Sequence, residues 1–141
     1  MALRDDVITG ESYYMREIRY LKRMLGRFEK KEPVLFVIDE ILKGTNTAER
    51  IAASEAILDY FAKGNQFVLI ATHDMELVYA MQGKYDNYYF DSVIQGKDVC
   101  FPYMIHKGIG GKTNAIELLD VLSYPEEIIT RARKNLERSK G

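Results

Sequence analysis

Five consecutive apolar residues, Val34-Leu35-Phe36-Val37-Ile38, run directly into two adjacent carboxylates, Asp39-Glu40. A continuous apolar run rich in β-branched residues predicts a strand buried on both faces, as inside a parallel sheet. The stretch that follows, Ile41-Leu42-Lys43-Gly44-Thr45-Asn46-Thr47, reads as a short turn with one glycine leading into a helix. Acids at the exit of such a strand lie at the carboxyl edge of the sheet, where open α/β folds bind ligands. Two ionised groups beside a buried strand are costly without a metal or a partner. A magnesium–nucleotide complex suits the pair, with one acid near the metal and the next oriented toward a water.

The neighbouring segments extend this into an α/β unit. Tyr14, Ile18, Leu21, Leu25 and Phe28 recur at helical spacing, with Arg16, Arg19, Lys22, Arg23 and Arg27 mostly off the stripe. Glu29 to Pro33 closes that helix and sets up the strand. Asn46 and Glu49 have the spacing of a capping pair, the helix continues through Ile51, Ser54, Leu58 and Phe61, and Gly64 is the expected stop. Phe67 to Ala71 is a second apolar strand that ends at Thr72-His73-Asp74. Strand, helix and strand in succession predict a right-handed βαβ unit with parallel strands. Both polar exits then fall on one sheet edge.

Beyond it, Met75 to Met81 predicts a short helix. Tyr85–Ile94 and Val99–Ile105 predict two strands of a hairpin turning at Gln95-Gly96-Lys97-Asp98. Gly108, Gly110 and Gly111 mark a loop, Asn114 with Glu117 opens another helix, and Pro125-Glu126-Glu127 starts a last one with a basic end.

Bulk properties restrict the function. The 141 residues suit one modest domain, and 47% apolar with 29% charged residues predicts a globular core. A net charge of −1 gives no overall attraction to nucleic acid. Cys100 is the only cysteine, which excludes an intrachain disulfide and fits a reducing compartment. No apolar run has the length of a membrane span and no signal peptide is visible, so a cytoplasmic location is expected.

The order of these segments resembles the C-terminal half of the ATPase domain of the MutS family of DNA mismatch-repair proteins, within the ABC-type P-loop ATPases. Residues 5–17 (Asp5 to Glu17, with Thr9-Gly10-Glu11-Ser12) resemble the family's signature segment, and 34–40 its Walker B strand. Gly44-Thr45-Asn46-Thr47 resembles the loop after Walker B, and 71–74 (Ala71-Thr72-His73-Asp74) the switch-histidine segment. Lys107 to Thr113 and Pro125 to Ala132 are similar to the closing elements. The resemblance implies a partial P-loop NTPase fold, with a parallel βαβ core, a C-terminal antiparallel hairpin and terminal helices. It implies ATP and Mg2+ as cofactors of the full protein. Asp39 would hold the metal, Glu40 would orient or deprotonate the attacking water, and His73 would sense the γ-phosphate. Gly10 and Ser12 would reach a nucleotide on a second ATPase subunit, in a homodimer, and Thr45, Asn46 and Thr47 would lie at the dimer interface. DNA would be engaged by regions outside this chain.

Two departures qualify the resemblance. No G-x-x-x-x-G-K-S/T motif occurs anywhere: Gly111-Lys112-Thr113 ends like one, but His106 stands where the opening glycine belongs. The Walker A portion is therefore missing, which predicts a fragment beginning downstream of the P-loop and no hydrolysis by the isolated chain. The segment Leu42 to Arg50 leans toward divergent MutS-related members. Two rival expectations stand beside this one. One is a non-catalytic dimerisation or docking half-domain. The other is the ATPase of another ABC-type protein, against which Thr9-Gly10-Glu11-Ser12 departs from the usual transporter signature.

Overall fold

A computed structural model of the chain describes residues 13–95, 98–110 and 115–139. The chain divides into two compact units, Met1–Asp86 and Asn87–Gly141. Among the described residues no helix is long and apolar enough to cross a membrane.

In the first unit α1 (Tyr13–Glu29) carries the helical stripe, burying Leu21 and Phe28. It leads into β1 (Leu35–Asp39), then α2 (Thr47–Phe61), β2 (Phe67–Ala71) and the short α3 (Met75–Ala80). The two strands pair in parallel, with Leu35 opposite Phe67, Val37 opposite Leu69 and Asp39 opposite Ala71. This is the expected strand–helix–strand unit. The expected capping pair also forms, Asn46 Oδ1 accepting the Glu49 N–H at 3.0 Å. α2 closes earlier than its glycine suggests, on Ala62, which donates to the Leu58 carbonyl. Gly64 is needed for space, because a Cβ there would lie 2.4 Å from the Phe28 ring.

Leu58, Phe61 and Leu77 are almost fully buried and sit at the centre of the core with Phe36, Ile38, Ile41 and Leu42. Phe61 packs its ring 5.3 Å from both Phe28 and Phe36. Phe61 of α2 thus joins α1 to β1 within the core.

The expectation of a strand buried on both faces is overturned. Phe36 and Ile38 are buried, but Leu35 and Val37 are 61% and 64% exposed, and opposite them Phe67 and Leu69 are 78% and 61% exposed. Successive side chains of a strand point to opposite faces, so these four form one apolar ladder. The sheet has two strands, with the helices of this unit packed on one face alone among the described residues.

The second unit holds an antiparallel arm in two pieces. β3 (Tyr88–Phe90) pairs with β6 (Ile105–Lys107), and β4 (Val93–Gln95) pairs with β5 (Asp98–Cys100). The turn residues Gly96 and Lys97 lie outside the described residues, but Gln95 pairs with Asp98 on either side of them as a hairpin requires. The expected continuous strand Val99–Ile105 is broken. Residues 101–104 join no ladder, which fits a proline at 102 without an N–H to donate and a positive φ of 53° at Tyr103. The helices α4 (Ala115–Val121) and α5 (Glu126–Ser139) follow, α5 beginning at the expected Pro125-Glu126-Glu127.

Candidate functional site

β1 and β2 run parallel and in register, so their carboxyl ends open on the same edge. Glu40 extends the ladder by one bond, its N–H donating to the Ala71 carbonyl at 2.9 Å. There the chain turns sharply. Glu40 has a φ of 59° and Leu42 a φ of 56°, left-handed conformations that cost non-glycine residues about 1–3 kcal/mol each. Such geometry persists only where the surroundings over-determine it. Here Ile41, between the two strained positions, and Leu42, the second of them, are 2% and 3% exposed and are driven into the core. The turn is thus anchored by its two apolar residues, and that anchoring holds the backbone of Glu40 in place.

The Glu40 side chain is mostly enclosed and meets the second exit. Its Oε1 lies 3.5 Å from His73 Nε2, and its Oε2 accepts a hydrogen bond from the Thr72 hydroxyl at 3.3 Å. His73 is almost wholly exposed. Asp39 is exposed as well and shares the strand face of Leu35 and Val37. Among the described residues no group of three His, Cys, Asp or Glu side chains could hold a metal ion. A magnesium ion does not need one, since it binds through one or two carboxylates together with phosphate oxygens and water. An exposed carboxylate at a strand exit fits that donor set.

The loop after β1 is held from behind by α1. Glu17 is buried, and its two carboxylate oxygens accept the Lys43 and Gly44 N–H groups at 3.3 Å each. This satisfies a carboxylate that would otherwise be costly to bury. Tyr13, one turn earlier, has its hydroxyl pKa raised by burial and by the negative charges of Glu17 and Asp39. Thr45 donates its hydroxyl to Glu49 at 3.0 Å and Asn46 caps α2, so both side chains serve the helix start, while Thr47 is its first residue. Gly10 and Ser12 lie outside the described residues.

Gly44 sits where α1 leaves no room. A Cβ there would lie 2.6 Å from Tyr14 Cβ and 3.0 Å from its Cα, neither of which can swing aside. Gly44→Ala is therefore expected to lower unfolding stability by about 1–3 kcal/mol, in the range of overpacked sites. Chemical denaturation measures this, and an unchanged midpoint would show that the loop yields freely.

Sequence reasoning placed Glu40 and His73 on one edge, and the structure brings them into contact. It did not single out Glu17, Thr72, Arg50 or Asp74. Arg50 grips Asp74 in a two-pronged ion pair, Nε to Oδ2 at 2.9 Å and Nη2 to Oδ1 at 2.8 Å. A guanidinium in the first turn of one helix and a carboxylate just before the next carry no spacing signal that would pair them.

The carboxylates and the histidine thus stand at the carboxyl edge of a parallel sheet, the place where open α/β folds bind ligands. The MutS domain V family model matches residues 1–140, and the chain belongs to that family. It is 28% identical over 142 residues to the DNA mismatch repair protein MutS of Thermotoga petrophila, covering 99% of this chain and 18% of that protein. It is 29% identical over 139 residues to the human MutS protein homolog 4, covering 92% of this chain and 15% of the relative. The MutS of Aquifex pyrophilus is 28% identical over 141 residues, 97% of this chain and 16% of that protein. The chain thus spans less than a fifth of the length of these relatives.

Proposed function

We propose that this chain forms the magnesium-and-water side of the ATP site of a MutS-type mismatch-repair or DNA-processing ATPase. The observation that carries this is the shared edge, where Glu40 meets His73 at 3.5 Å and Asp39, one residue before Glu40, is exposed at the end of β1. Asp39 would hold magnesium, directly or through water. Bound magnesium supplies charge neutralisation on the transferred phosphoryl group. Glu40 would orient or deprotonate the water, and His73 would report the γ-phosphate. The bare ladder of Leu35, Val37, Phe67 and Leu69 supports a second part of the proposal. A P-loop-bearing α/β segment, joined or separate, covers this face and brings the phosphate cradle to Asp39. In the assembled protein a second ATPase subunit meets the loop 44–47 and receives Gly10 and Ser12 at its nucleotide, and dimer switching controls DNA held by other regions.

Calorimetric titration of ATP–magnesium tests this, with the chain alone and with a P-loop-bearing segment added. The chain alone is expected to give no saturable heat and no phosphate release, and the pair to give both. Phosphate release by the chain alone, abolished by Asp39→Ala, would overturn the half-site reading. Association of the two parts without nucleotide binding would favour a docking half-domain, the function to which the bare face also lends itself.

A further inference from the structure

Three residues, Arg50, Asp74 and Thr72, connect the start of α2 to Glu40. Arg50, in the first turn of α2, holds Asp74 through both carboxylate oxygens in a pair shielded on each side. The backbone N–H of Asp74 donates to Thr72 Oγ1 at 3.1 Å, and the Thr72 hydroxyl reaches Glu40 Oε2 at 3.3 Å. The direction of each bond is fixed by chemistry. A carboxylate only accepts, so the Thr72 proton must point at Glu40, and the Asp74 N–H occupies a lone pair on the same oxygen. Planar two-pronged pairing fixes orientation as well as distance, which a lysine in place of Arg50 would not do.

We infer that Thr72, Asp74 and Arg50 are positioning residues that set the direction of the Glu40 carboxylate through the chain Arg50–Asp74–Thr72–Glu40. This rests on the proposed role of Glu40 toward water. It deepens that role by tying the carboxylate to the helix that begins at the last residue of the loop 44–47. Ile41 and Leu42 hold the Glu40 backbone, and the direction of its carboxylate is left to side-chain contacts such as that with Thr72. A shift of α2 at its first turn would therefore rotate Glu40 without touching it.

The hydroxyl is the atom to test. Thr72→Val keeps the shape and removes the hydrogen bond, whereas Thr72→Ser keeps the bond. The carboxyl-carbon NMR shift of Glu40 in the full chain is expected to move in Thr72→Val and to stay in place in Thr72→Ser. Arg50→Gln is expected to move it in the same direction, which keeps the test usable if Thr72→Val fails to fold. In the complex with a P-loop-bearing segment, Thr72→Val should lower kcat by about 10-fold to 100-fold with KM for ATP nearly unchanged, and Thr72→Ser should restore it, on the scale of misplaced reacting groups. An unmoved Glu40 signal in both Thr72→Val and Arg50→Gln would overturn the inference. So would equal kcat for the Val and Ser variants. Wild-type hydrolysis by Glu40→Gln would instead overturn the role of Glu40, leaving the NMR result to decide the positioning chain by itself.

Discussion

Glu40→Gln is expected to leave ATP–magnesium binding by the complete site intact and to slow hydrolysis by about 10²-fold or more, the scale of a lost general base. The amide is nearly isosteric with the carboxylate. Its carbonyl can still accept the Thr72 hydroxyl, and its NH2 can face His73 Nε2 across the present 3.5 Å gap. The backbone need not change, because Glu40 is pinned by Ile41 and Leu42 in the core and by its own N–H on Ala71. What disappears is the negative charge and the ability to take a proton. Removing a charge near phosphates opposes nucleotide binding in no way, so the affinity should hold or tighten. Equilibrium ATP binding and single-turnover phosphate release, measured on the same preparation, separate the two effects. Turnover at the wild-type rate would remove Glu40 from the chemistry and reduce the Glu40–His73 contact to a surface pairing.

Much of this arrangement was legible in the sequence because it is local or periodic. The α1 stripe, the Asn46–Glu49 cap and the two apolar runs each declare themselves within a few residues. Parallel pairing then follows from the helix between the strands, and a common exit edge follows from parallel pairing. The parts that escaped are long-range or conditional. Arg50 meets Asp74 across 24 positions and Thr72 meets Glu40 across 32, with no pattern in the intervening residues. Pro102, which has no N–H to give a ladder, sits inside the expected strand Val99–Ile105 and interrupts it. The buried-both-sides expectation for Val34 to Ile38 failed for another reason. Its composition suits a strand covered twice, and this chain covers it once.

That mismatch sets the second large expectation, which concerns Leu69. Leu69→Lys should change the stability of the chain by no more than about 0.5 kcal/mol, as for ordinary surface positions. The same substitution should weaken association with a P-loop-bearing segment by about 10²-fold or more, because burying an unpaired ammonium costs several kcal/mol. The neighbouring Ile38→Lys provides the contrast: its side chain faces the core at 9% exposure, so the chain itself should unfold. Denaturation of the chain and calorimetry of the pair measure the two quantities independently. If Leu69→Lys destabilised the chain alone, the exposed face would already be in use within it. If association survived unchanged, the P-loop-bearing segment would have to dock elsewhere. Asp39 shares its strand face with Leu35 and Val37 by alternation along β1. A segment docked on any other face would leave Asp39 pointing away from the phosphates, and the proposed metal role would fall with the docking surface.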